Sequence, residues 1–271
     1  MDSSMPVRMI ATDMDGTLLN RKGQIPEENI RAIRAAQEKG IVVAIATGRF
    51  VENAYVVIQD AGIVCPIIGS NGAKITNEKL ELISEHFMDP KAAMQVFDVL
   101  DELGSDYFVF GPGFVCTARQ EVAHHSELSY GPRITDLGFT YCRGREAAFA
   151  CVQQAVHKFF VCDNVPLPMV RERLLNISGI ELTQSGVRNI EVMPTCIDKA
   201  MGVIDMAKYL NIPLSQVMTL GDQENDIPMR KGAGDGVDMG NASEETKAVA
   251  RFITDTNDEC GFARAIEKYA L

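Results

Sequence analysis

The chain has 271 residues, 46% of them apolar and 23% charged, which is long enough for one large or two smaller domains with a substantial core. A net charge of −11, an isoelectric point near 4.9 and the lack of any Lys/Arg run argue against a nucleic-acid partner. The same acidity repels an anionic substrate unless a cation or local positive groups offset the field.

No segment reaches the ~20 apolar residues of a membrane span, and residues 1–6 lack the basic and apolar regions of a secretory leader, so no membrane association is expected. Seven cysteines (Cys65, Cys116, Cys142, Cys151, Cys162, Cys196, Cys260) are odd in number and contain no Cys-x-x-Cys pair. That favours reduced thiols in a cytoplasmic protein, and the spacing gives no clustered metal ligands.

In chain order, Val7–Ala11 reads as a short buried strand. A helix is predicted over Pro26–Lys39, with Pro26 in its first turn, Ile30 and Ile33 on its apolar face and Gly40 as its stop. A strand at Ile41–Ala46, a helix at Glu52–Ala61 and a strand at Pro66–Gly69 complete a βαβαβ pattern, which implies a parallel sheet with right-handed crossovers.

The texture then changes. A helix at Asp89–Leu103, a hairpin of Tyr107–Phe110 with Phe114–Thr117, a helix at Arg145–Gln154, a strand at Lys158–Cys162, a helix at Pro168–Asn176 and strands at Ile180–Gln184 and Asn189–Met193 read as mixed α+β. The βα rhythm returns with a helix at Ile197–Leu210, a strand at Val217–Leu220, a helix from Asp226 to Lys231, a strand at Gly236–Met239, a helix over Ser243–Ala250 capped by Ser243 and a strand at Phe252–Thr254. The fold class is therefore α/β: a Rossmann-like parallel-sheet core, residues 1–83 and 189–271, with an α/β domain inserted at 84–188.

Four stretches fall at strand ends or helix starts: Asp13-Met14-Asp15-Gly16-Thr17, Thr47-Gly48-Arg49, Lys199, and Gly221-Asp222-Gln223-Glu224-Asn225-Asp226. A parallel sheet gathers such residues at its carboxyl edge, where ligands bind. Asp13 and Asp15 are like charges one residue apart, and a fold seldom keeps such a pair without a partner cation or a chemical use. Each stretch has a bland reading as well: a solvated turn for the aspartates, a Thr-Gly turn, a solvated lysine, and a helix N-cap for Asn225-Asp226.

Together with SNGA (70–73) and MGNA (239–242), the motifs DMDGTLL (13–19), ATGR (46–49), Lys199 and GDQENDIPM (221–229) resemble the haloacid dehalogenase superfamily of phosphotransferases. The resemblance covers nearly the whole chain and is closest to the Cof-type sugar-phosphatase-like branch with a C2-type cap. It implies that Asp13 is the nucleophile that forms an aspartyl-phosphate, and that Asp15 is the general acid and base. Thr47, Gly48, Lys199 and Asn225 would bind phosphate or substrate, and Asp226 would orient Lys199 or a metal-bound water.

A carboxylate attacking a phosphate needs a bridging cation. The resemblance implies Mg²⁺ held by the carboxylates of Asp13 and Asp222 and the main-chain carbonyl of Asp15. The implied substrate is a small phosphate ester such as a sugar phosphate, and the inserted cap would select it. A phosphomutase or phosphotransferase with the same nucleophile, and a catalytically dormant binding module, remain as alternatives.

Two positions depart from the family pattern. Lys199 is followed by Ala200-Met201, with Gly202 later, where a glycine often comes directly. Asp238 stands where a small apolar residue is usual, and it either adds charge at the site's edge or faces solvent. Arg49 and Asn71 lie near the expected site. His124-His125 reads as a solvated loop or a substrate-contacting cap loop, and Arg119, Arg133, Arg143 and Arg145 are candidates for a second anionic group of a substrate.

Overall fold

The computed structural model describes residues 6–248 and 250–271, apart from the side chain of Glu245. The described residues form two compact units, 6–85 with 198–271, and His86–Ile197. The first unit opens with β1 (Met9–Thr12), α1 (Glu27–Glu38), β2 (Val42–Ala46), α2 (Val51–Asp60) and β3 (Ile67–Gly69), followed by β4 (Lys74–Thr76) and β5 (Leu82–Glu85). In α1, Ile30, Ala32, Ile33 and Ala36 form the buried stripe that periodicity predicts, and Glu27 and Glu28 sit in the first turn, where the helix dipole favours negative charge.

The second unit contains α3 (Pro90–Leu103), β6 (Tyr107–Gly111), β7 (Phe114–Thr117), α4 (His125–Asp136), β8 (Thr140–Arg143), α5 (Arg145–Val152), β9 (Lys158–Cys162), α6 (Leu167–Leu174), β10 (Ile180–Thr183) and β11 (Asn189–Pro194). The chain then returns to the first unit with α7 (Lys199–Tyr209), β12 (Val217–Gly221), α8 (Ile227–Gly232), β13 (Asp235–Asp238), α9 (Glu244–Lys247), β14 (Phe252–Ile253) and α10 (Gly261–Tyr269). The helix expected over Ser243–Ala250 is described to Lys247, with Ser243 accepting from the Thr246 amide as its cap. Val249 lies outside the described residues, as do residues 1–5, on which the reading of the N-terminus rests.

The sheet of the first unit has the order β14-β13-β12-β1-β2-β3-β4-β5, parallel from β14 to β3 and antiparallel at β4 and β5. β1 is buried along its whole length, as a central parallel strand must be. One face of the sheet carries Met9, Ala11, Ala44, Ala46 and Ile68, which pack with Val203 and Met206 of α7. The second unit's sheet, order β10-β11-β9-β6-β7-β8, is antiparallel except for the β7–β8 pair. Its core joins Val109, Phe159 and Val192 of the sheet to Val96, Phe97 and Leu100 of α3. No helix among the described residues is long and apolar enough to cross a membrane.

The boundary expected at 188/189 is corrected to 197/198. β11 pairs with both β10 and β9, so these hydrogen bonds hold residues 189–194 in the second unit. The first boundary moves from 83/84 to 85/86, because β5 finishes the edge of the first sheet at Glu85.

Candidate active site

Successive strands run outward from β1 through β2 to β3, and then from β12 through β13 to β14 in the other direction. The strand order thus reverses between β1 and β12, the position where open α/β sheets hold ligands beyond their carboxyl ends. Asp13 directly follows β1, and its amide donates to the Leu220 carbonyl of β12 at 2.9 Å. Asp222 follows β12, Thr47 follows β2, and Lys199 opens α7.

Lys199 ties the site together. Its ammonium is buried and donates to Asp13 Oδ1 at 2.6 Å and to Asp226 Oδ1 at 2.7 Å. The other oxygen of Asp226 accepts the amides of Asp222 and Gln223, both at 2.9 Å. Asp226 therefore fixes the Asp222 loop and the Lys199 ammonium at once. The start of α7 is well defined: Asp198 caps it by accepting from the Met201 amide. Gly202 is needed one turn on, since a Cβ there would lie 2.3 Å from Ile68 Cγ2.

The electrostatics follow from burial. Desolvation pushes the Asp13 carboxyl well above its usual range; Lys199 opposes the shift, while Asp226, Asp222 and Asp15 add to it. Burial would favour neutral Lys199, but the carboxylates of Asp13 and Asp226 outweigh it and raise its pKa above the ordinary lysine value. Asp222 is pushed up to about 6, first by burial and then by Asp226.

Carboxylate oxygens of Asp13, Asp222 and Asp226 lie within 4.8 Å of one another. An all-oxygen, acidic and buried donor set of this kind suits a small hard divalent cation such as Mg²⁺. Within this set Asp226 accepts three hydrogen bonds, from the Lys199 ammonium and from the Asp222 and Gln223 amides.

Asp222 is held from several sides. Thr17 Oγ1 donates to its Oδ1 at 2.9 Å, and Gln223 Nε2 donates to its Oδ2 at 2.9 Å. Asn241 Nδ2 donates to the Gly16 carbonyl at 2.9 Å and lies 3.4 Å from Asp222 Oδ2. Gly16 has φ +82°, and a Cβ on it would sit 2.3 Å from Asp222 Oδ2. Gly16→Ala therefore combines backbone strain with displacement of a donor carboxylate. It is expected to destabilise the fold by roughly 1–3 kcal/mol, read by urea melts, and to weaken the binding of any divalent cation at these carboxylates at least about tenfold, read by metal titration.

Asp15 is more exposed. Arg49 grips its carboxylate with two bonds, Nε to Oδ2 at 2.8 Å and Nη2 to Oδ1 at 2.6 Å. Thr47 is buried, and its Oγ1 accepts the Arg49 amide at 3.1 Å, which shapes the turn that carries Gly48. Asn225 Nδ2 donates to Asn71 Oδ1 at 3.3 Å.

A family model of haloacid dehalogenase-like hydrolases matches residues 10–266. The chain belongs to that family. It is similar to a 5-amino-6-(5-phospho-D-ribitylamino)uracil phosphatase of Bacillus subtilis, 30% identical over 267 residues, covering 98% of this chain and 96% of the relative. It is similar to an HMP-PP phosphatase of Cronobacter sakazakii at 27% identity, covering 89% of this chain and 87% of that one. A solved haloacid dehalogenase-like hydrolase from B. subtilis superposes with a TM-score of 0.84 at 29% identity, covering 96% of this chain and 99% of that one.

In this haloacid dehalogenase-like hydrolase the structure brings Asp13, Lys199, Asp222 and Asp226 together and joins Asp15 to Arg49. No role for Thr17, Gln223 or Asn241 was legible in the sequence, although all three stand inside the motifs singled out above. Their work is to hold Asp222, Gln223 from the adjoining position and Thr17 and Asn241 from stretches distant in sequence.

Three expectations are corrected. Asp238 neither faces solvent nor leaves an open charge at the edge: it is fully buried and ion-paired with the equally buried Arg230 of α8. Removing either partner is expected to cost about 3–5 kcal/mol, whereas the double change Arg230→Met with Asp238→Ala is expected to be near neutral, measured as a double-mutant cycle by urea unfolding. His124 is not in a solvated loop. It caps α4 by accepting from the Ser126 amide, and the rings of Phe108 and Phe110 meet it edge-on. The cysteines do include a cluster, Cys116, Cys142 and Cys151. Of the candidate arginines, Arg119 pairs with Asp106, Arg143 with Glu127 and Arg145 with Asp101.

Proposed function

We propose that this phosphatase hydrolyses a small phosphorylated metabolite, a sugar phosphate or a similar monoester, in the cytoplasm, through an aspartyl-phosphate on Asp13. The observation that carries the proposal is the buried Lys199 ammonium bonded to both Asp13 and Asp226, beside Asp222. Such an arrangement sets a nucleophilic carboxylate next to a fixed positive charge at the ligand-binding edge of the sheet. The names of the relatives, which are phosphatases of small phosphorylated compounds, support the substrate class.

In this reading Asp13, Asp222 and the main-chain carbonyl of Asp15 would hold Mg²⁺, which would offset the repulsion between carboxylate and phosphate. Asp13 attacks phosphorus as the alcohol leaves. Asp15, aimed by Arg49, protonates that alcohol and then takes a proton from the water that cleaves the acyl-phosphate. Thr47, Gly48, Lys199 and Asn225 hold the phosphoryl oxygens, and Asp226 positions Lys199. Residues 1–85 with 198–271 are the catalytic unit, and the unit at 86–197 selects the substrate.

The test is a panel of small phosphate monoesters assayed for inorganic phosphate with Mg²⁺ and with chelator. Release with Mg²⁺ and none with chelator is the expected result. Transfer of phosphate between hydroxyls without release points instead to the mutase alternative, and failure to process any ester to a dormant module.

The Asp15–Arg49 pair is partly exposed, so it contributes only about 0–1 kcal/mol to stability. Arg49→Met is therefore expected to lower kcat by roughly 10–100-fold, at most the lower end of the ~10²–10⁴-fold that general acid–base catalysis supplies, since Asp15 itself stays in place, with little change in the urea midpoint. An unchanged kcat would show that Asp15 needs no such aiming.

A further inference from the structure

The second unit holds a group of thiols outside the site described above. Cys116 of β7 and Cys142 of β8 are register partners across the parallel pair. Cys151 comes from α5, which packs on both strands. The three sulfurs lie within 4.8 Å of one another. Cys116 and Cys151 are buried and Cys142 is half-buried, bordering a small surface cavity beside Tyr141, Arg143 and His124. The group thus has two buried members and one half-buried member beside the cavity.

Packing alone does not require this arrangement. A buried cysteine acts as a small apolar side chain, and Cys65 shows that behaviour: burial pushes its thiol up to about 12. Three thiols drawn from two strands and a helix, with their sulfurs facing one another, instead form a soft donor set. No His or carboxylate atom joins them among the described residues, so the set is all sulfur.

We infer that Cys116, Cys142 and Cys151 form a binding site for a single thiophilic d¹⁰ metal ion, with cuprous ion the best match to three sulfur donors. Soft thiolates select Cu(I) and Zn(II) over hard cations, and Zn(II) in structural sites takes four protein ligands. Binding releases the thiol protons to solvent and involves no change in oxidation state, because the ion enters as Cu(I). β8 is the edge strand of its sheet and pairs only with β7, so an ion on all three sulfurs would tie that edge and α5 to β7. The inferred consequence is a metal-dependent gain in stability, separate from the Mg²⁺ expected at the carboxylates.

The experiment uses the full chain, reduced with a phosphine and stripped of metal. Cuprous ion is supplied against a chromophoric Cu(I) chelator under anaerobic conditions, and thermal unfolding is followed in parallel. One equivalent of Cu(I) held by the protein, with a raised melting temperature, is the expected result. Cys142→Ser and Cys151→Ser are each expected to lose affinity by at least about 100-fold, the upper end of what losing even an outer partner of a metal site costs. Cys196→Ser and Cys260→Ser are expected to bind as the parent does. Cys142 is half-buried, so its serine variant keeps the test sound even if Cys151→Ser unfolds. Failure of the parent to retain Cu(I), retention undiminished in Cys142→Ser, or loss in Cys196→Ser would each overturn the inference.

Discussion

Asp13→Asn is expected to abolish phosphate release, with kcat reduced by about 10⁵-fold or more, as loss of a covalent nucleophile does. The fold is expected to survive. Asparagine matches aspartate in size, and Lys199 keeps its bond to Asp226 at 2.7 Å. The change also removes one of several buried like charges, since Asp222, Asp226 and Asp15 all act to push the Asp13 carboxyl upward. The melting temperature should therefore move by only a few degrees, about 1 kcal/mol in either direction. Phosphate release and thermal unfolding measured on one preparation separate lost chemistry from lost structure.

The second large effect is at Lys199. Lys199→Met keeps an unbranched side chain, one atom shorter, and removes its charge, leaving Asp13 and Asp226 buried and facing each other without a cation. Breaking a buried pair in this way costs about 3–5 kcal/mol. Activity is expected to fall at least about 10³-fold, because the same ammonium would stabilise charge on the phosphoryl group. Lys199→Arg is not expected to rescue it: a compact ammonium bonded to two buried carboxylates and a larger planar guanidinium are not interchangeable. Asp226→Asn gives the matching result from the other side, since it weakens the grip on Lys199 and on the Asp222 loop together.

The part of the fold that positions the site was legible because its signals are local. The buried run before Asp13 and the strand before Asp222 are short, apolar and bounded by Gly or Asp. The parallel pairing of β1 with β12 then brings two motifs some 200 residues apart to one sheet edge. Less could be read where the signal was weak. β4 has three residues, and β5 is polar enough to pass for a loop. α4 contains Gly131-Pro132, which masks its helical pattern. α10 carries a stripe of Phe262, Ala265 and Ile266 that periodicity could have found.

Tertiary pairs left no local trace. Arg230 with Asp238, Thr17 with Asp222 and Cys116 with Cys151 are partners that only the fold brings together. Asp238 illustrates the limit. Its departure from the family pattern was visible in the sequence, but its neutralisation by Arg230 was not.

The measurement that bears most directly on the account is a trapping experiment at Asp13. The chain is mixed with Mg²⁺ and a labelled phosphate ester taken from the panel, then quenched in acid during turnover, and the labelled peptide is sequenced. The account predicts acid-stable, hydroxylamine-sensitive label on the peptide containing Asp13 and none in Asp13→Asn. Rapid phosphate release by the parent with no protein-bound label at any time, or label on a residue other than Asp13, would contradict it.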